Sequence, residues 1–145
     1  MVQGLGDMGL SLAFAAVGSA LGTGVAGMAA IGAWKKAFAQ NKAAPFILIA
    51  FVGAPLSQTI YGMILRNAIM GANLDPVTYP YQMALGLAAG IAMGFSAWMQ
   101  GKAGASASDA LAETGQGFGN YIMVLGVIET VALFVMVFAM TALPK

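Results

Sequence analysis

Glu129 is the one charged residue among the 31 that separate Glu113 from Lys145, and it sits at their centre. An ionised side chain in the middle of a bilayer costs about 2.5–3.5 kcal/mol on insertion scales, so an acid there is by default an ion or proton site. Polar side chains that could converge on it fall inside the other apolar runs, among them Ser57, Gln58, Tyr61 and Gln100. Ser57, Gln58 and Tyr61 occupy adjacent or i,i+4 positions of one helix. Pro55 precedes them, and a proline inside a helix leaves a carbonyl unbonded and loosens the turn around it. The carbonyl it unbonds lies four residues back, and carbonyls of the loosened turn near Ala54 could then serve as ligands. A carboxylate, two amide oxygens, a hydroxyl and a carbonyl give four or five oxygens with a single negative charge. Hard cations prefer oxygen ligands, and one carboxylate neutralises one monovalent ion. Ca²⁺ or Mg²⁺ would leave net charge in lipid. A proton needs only Glu129 and a hydrogen-bond partner. The additional oxygens favour Na⁺, with H⁺ as the alternative.

Composition narrows the chemistry further. The 145 residues are 60% hydrophobic and only 8% charged, against roughly 25% charged in a soluble domain. Such a chain cannot cover a water-facing surface, so its solvent is lipid. It contains no Cys and no His, which removes disulfides, thiolate metal sites, thiol nucleophiles and the usual general base. A net charge of +1 with no basic stripe excludes nucleic acid as a partner.

The charges mark out the elements that must position Glu129 and its neighbours. Asp7 and Lys35 enclose 27 uncharged residues, Lys42 and Arg66 enclose 23, and Asp75 and Lys102 enclose 26. A spanning helix needs roughly 20 apolar residues, and the runs lack the alternation of a barrel strand. The spacing predicts an all-α membrane protein with four helices, at about Met8–Trp34, Pro45–Met70, Tyr79–Ala103 and Phe118–Leu143. The opening MVQGLGDMGL has no basic residue, unlike a cleaved signal peptide, so the first span is expected to be retained. Lys35, Lys36 and Lys42 are assigned to the loop after helix 1, and Lys102, Asp109 and Glu113 to the loop after helix 3. By the positive-inside rule both loops face the cytoplasm, and both termini face the other side. Arg66 snorkels as an anchor. Trp34, Tyr79 and Tyr81 suit interfacial belts.

Helix 1 carries Gly18, Gly22, Gly24 and Gly27, and helix 3 carries Gly86, Gly90 and Gly94. Small residues spaced by four share a face and let helix backbones approach closely in lipid. The two halves also match each other. SALGTGVAG (19–27) aligns with SAWMQGKAG (96–104), and SQTIYG (57–62) with IETVAL (128–133), pairing Gln58 with Glu129. The reading is a duplicated helical hairpin, residues 1–72 and 73–145, in which only the second copy keeps the intramembrane carboxylate. If Gln100 and Glu129 share a depth in an antiparallel hairpin, the turn falls at Thr114–Gly115. The same construction for Thr23 and Gln58 places a turn at Gln40–Asn41. Gln58 and Gln100 reach equal depth only if helix 3 is longer, or more tilted, on the outer side.

Taken together, PLSQTIYG, FSAWMQGKAGA, VIETVAL, the Gly-rich first helix and the duplicated hairpin resemble the proteolipid (c or K) subunit of V-type and A-type rotary ATPases. The resemblance covers nearly the whole chain. In Na⁺-translocating members it implies that Glu129 binds Na⁺ with Gln58, Gln100, the Ser57 hydroxyl and the backbone carbonyl of Ala54. Tyr61 would bond to Glu129 and hold the site closed. Ser57 stands where Thr is common in that family, and Ala54 where a larger apolar residue is usual. The resemblance further implies a ring of identical subunits in lipid, with helices 1 and 3 inside and helices 2 and 4 outside. The ring would turn against a membrane stator subunit that supplies an Arg, and would meet a central-stalk subunit on the cytoplasmic side. The chain itself would be a non-catalytic transport subunit. A small proton-coupled drug antiporter also has four helices and one membrane acid, but its acid is expected in helix 1 beside stacking aromatics. Helix 1 here has no acid within its span.

Overall fold

The computed structural model describes residues 5–144. The extreme termini, Met1–Gly4 and Lys145, lie outside the described residues, as does that part of the N-terminal reading. Four helices are long and apolar enough to cross a membrane: α1 (Leu10–Ala39), α2 (Phe46–Gly71), α3 (Pro76–Thr114) and α4 (Phe118–Thr141). No strand occurs among the described residues. The fold is all-α, as the spacing of charges predicts.

The loops differ from expectation at one end of the bundle. Lys35 and Lys36 lie on α1, and Lys102, Asp109 and Glu113 lie on α3, rather than in loops. A charge marks where lipid ends, not where a helix ends. Outside lipid these exposed side chains are solvated and the helix continues until the backbone turns left-handed, at Asn41 (φ 54°) and Gly115 (φ 67°). Those turns are where the equal-depth construction places them. Lys36 Nζ donates to Glu113 Oε1 at 2.6 Å, tying the two extensions together. Trp34 Nε1 donates to the Pro45 carbonyl at 2.8 Å and closes the short link between α1 and α2. At the other end Tyr81 donates to the Ala142 carbonyl at 2.8 Å. The additional outer length demanded of helix 3 is present, since Gln100 lies 24 residues from the Pro76 end of α3 and Gln58 only 13 from the Gly71 end of α2.

The most extensive packing is between α1 and α3, which belong to different hairpins. Glycine makes it possible. A Cβ at Gly18 would strike the backbone of Gly94, and one at Gly101 the backbone of Gly22. Gly86 faces the Asp7 side chain, and Gly90 faces Leu10 and Ser11. The stripe of α3 is therefore spent within one chain. Gly24 has nothing within 4 Å of its Cβ position and stands outside the seam. Two apolar clusters fill the remaining interior. One contains Leu65, Ile69, Met93 and Met136, and the other Leu48, Phe51, Leu111 and Leu125. The candidate site lies between them.

Asp7 is more than a boundary charge. It is fully buried. Its carboxylate accepts the backbone N–H groups of Gly9 at 2.9 Å and Ser11 at 2.8 Å, capping the start of α1. Free amides at a helix N-terminus favour a negative partner.

Candidate functional site

The α2 helix is not uniform. Ala54–Leu56 forms a 3₁₀ turn between the α-helical segments Ile49–Gly53 and Ser57–Gly71. Pro55 lies at its centre and explains it: the missing N–H and the ring's bulk break the i→i−4 ladder there. The Ser57 hydroxyl donates to the Ala54 carbonyl at 3.2 Å or to Gln58 Oε1 at 3.2 Å. The proline thus places a carbonyl, a hydroxyl and an amide next to one another.

The other residues come from α3 and α4. Gln58 and Gln100 are both fully buried. Gln58 Nε2 donates to Gln100 Oε1 at 2.9 Å. Gln100 Nε2 donates to the Leu125 carbonyl at 2.9 Å and lies 3.3 Å from Glu129 Oε2. Tyr61 donates its hydroxyl to Glu129 Oε1 at 2.6 Å. Both carboxylate oxygens therefore face donors, one from α2 and one from α3.

Every residue named from the sequence as a ligand or latch enters one continuous polar chain. It runs from the Ala54 carbonyl through Ser57, Gln58 and Gln100 to Glu129, with Tyr61 at the far side. Glu129, Tyr61 and Gln100 meet directly; Ser57 and Ala54 join through Gln58. Glu129 is half-buried, so its carboxylate sits at the edge of the fold and not in the central seam. Thr23, paired with Gln100 in the repeat, stays outside the chain and donates to the Ser19 carbonyl on its own helix at 2.8 Å. Buried amides and hydroxyls are stable in lipid only when paired, and this chain pairs them. No group of three or more Asp, Glu, His or Cys side chains occurs among the described residues. Any cation held here would be bound by one carboxylate and neutral oxygens.

Ser96 is a residue that the sequence pattern does not single out for chemistry. It is buried one turn before Gln100 and donates to the Ile128 carbonyl at 2.9 Å. The available signal is its place at the head of the repeated SA-x-x-x-G segment, four residues before Gln100.

No curated protein matches the chain. The family model that describes the C subunit of ATP synthase matches residues 83–142. That span contains Ser96, Gln100 and Glu129 and ends with α4. The second hairpin is therefore similar to the ATP synthase C-subunit family, whose members are non-catalytic, ion-translocating proteolipids that form homo-oligomeric rings in the membrane.

Proposed function

We propose that this protein is the ion-carrying rotor subunit of a V-type or A-type ATPase membrane sector, with Na⁺ as the transported ion. The observation that carries the reading is the hydrogen-bonded chain of polar groups, several of them oxygens, that ends on Glu129. The family match supports an ion-translocating rotor subunit. The duplicated hairpin, with a carboxylate in one copy only, favours the V/A type through the resemblance set out above.

The ligands would be the Glu129 carboxylate, the side-chain oxygens of Gln58, Gln100 and Ser57, and the Ala54 carbonyl. Tyr61 would act as the latch. The physical logic is charge neutrality. Glu129 paired with one monovalent cation is neutral and crosses lipid cheaply, whereas the bare anion is confined to a polar interface. That interface is assigned to a stator subunit bearing an Arg. A proton is the alternative cargo, because the Tyr61 and Gln100 contacts alone would serve it. What supports Na⁺ is the further set of oxygens on α2, which a proton does not require.

Rotation would be coupled to ATP hydrolysis or synthesis elsewhere in the complex. The α1–α2 and α3–α4 turns would face the cytoplasm and the central-stalk subunit, with both termini opposite. The function is tested by isotopic Na⁺ binding to the purified protein. The wild type should bind about one Na⁺ per chain, Glu129→Gln none, and Gln100→Ala with reduced affinity. Wild type without Na⁺ binding, or Glu129→Gln with it, would refute the assignment.

A further inference from the structure

The α3 helix holds α4 at two points beside the carboxylate. Ser96 Oγ donates to the Ile128 carbonyl at 2.9 Å, and Gln100 Nε2 donates to the Leu125 carbonyl at 2.9 Å. The two donors are one turn apart on α3, and the two acceptors are about one turn apart on α4. Ile128 immediately precedes Glu129. The α2 side is held differently. Tyr61 meets Glu129 side chain to side chain, and just before it α2 is interrupted by the 3₁₀ turn Ala54–Leu56.

We propose that Ser96 is a positioning residue for Glu129. With Gln100 it clips the backbone of α4, fixing that helix's rotation, so that α3 and α4 form the rigid jaw of the site. The proposal rests on the reading of Glu129 as the ion carboxylate. The internal repeat supplies a contrast. Ser19, the counterpart of Ser96, is buried with no hydrogen-bond partner for its hydroxyl. The clip is present in the hairpin that carries the carboxylate and not at the equivalent serine of the other.

Ser96→Ala removes one oxygen and orphans no buried group, because the Ile128 carbonyl keeps its bond within the α4 ladder. The test is the rate of carbodiimide labelling of Glu129 in the purified protein without Na⁺, together with the Na⁺ concentration that halves it. In Ser96→Ala the Na⁺-free rate should rise roughly three- to tenfold, and half-protection should need roughly tenfold more Na⁺, the scale of one lost hydrogen bond. Ser19→Ala should match the wild type in both. Ser96→Thr, which restores the hydroxyl, should return both values toward the wild type. An unchanged Ser96→Ala, a Ser96→Thr as labile as the alanine variant, or a Ser96→Ala protein that no longer assembles would each overturn the positioning role. If Na⁺ fails to protect the wild type, the sodium reading falls, and the Na⁺-free rates still decide the clip.

Discussion

A single methyl group at Gly18 should separate α1 from α3. A Cβ built there overlaps the Gly94 carbonyl oxygen, carbonyl carbon and Cα, all backbone atoms that cannot rotate away. Overpacking typically costs about 1–3 kcal/mol, and a backbone-to-backbone clash belongs near the upper end. Replacing Gly by Ala in a helix returns about 1 kcal/mol of propensity. The net loss for Gly18→Ala is then about 1–2 kcal/mol. Gly24→Ala, on the same helix, meets nothing within 4 Å and should be neutral or more stable by up to about 1 kcal/mol. The assay is unfolding of the monomer in mixed micelles with increasing sodium dodecyl sulfate, followed by far-UV circular dichroism. The two variants should move the midpoint in opposite directions, or one should move it while the other does not. A Gly18→Ala protein as stable as Gly24→Ala would mean that the α1–α3 seam is not the close backbone contact described.

Tyr61→Phe removes the 2.6 Å bond to Glu129; hydrogen bonds to charged groups are worth about 1.5–3 kcal/mol, so Na⁺ exchange measured by isotope washout should accelerate roughly tenfold or more. Asp7→Ala leaves the Gly9 and Ser11 amides without their acceptor and should destabilise the protein by about 1–3 kcal/mol, whereas Asp7→Asn keeps one acceptor oxygen but turns an NH₂ donor on the second amide, so it should recover only part of that loss in the same micelle assay. Lys42→Cys should react with a membrane-impermeant thiol reagent only from the cytoplasmic side, and labelling from the opposite side alone would invert the proposed topology.

Much of this arrangement is legible in the sequence because lipid leaves few solutions. A Glu at the centre of an apolar span demands partners, and Gln58, Gln100 and Tyr61 are among the few polar side chains inside the spans that can supply them. Pro55 signals the local break in α2 by its own chemistry. The helix ends are harder to read, since Lys35, Lys36, Asp109 and Glu113 bound the lipid phase without breaking the helix. The turns at Asn41 and Gly115, where the backbone is left-handed, follow from the equal-depth pairing of polar residues and not from the charges. The pattern also leaves open whether the α3 glycine stripe meets helix 1 or a neighbouring subunit. A glycine stripe shows that something approaches closely, but Gly18 and Gly94 name each other only in three dimensions. In the sequence Asp7 looks like a boundary marker, because a capping role depends on the turn preceding the helix, and Ser96 looks like an ordinary small residue.

On the proposed function, Glu129 carries one monovalent cation, and Na⁺ and H⁺ compete for it. That competition is tested most directly by the rate of carbodiimide attack on Glu129 in the purified protein, measured against Na⁺ concentration at two pH values. The reagent consumes the protonated carboxyl, so Na⁺ should slow labelling, and the Na⁺ needed for half-protection should rise as the pH falls. Labelling that millimolar Na⁺ leaves unchanged at both pH values would contradict the sodium assignment and leave the proton as the cargo.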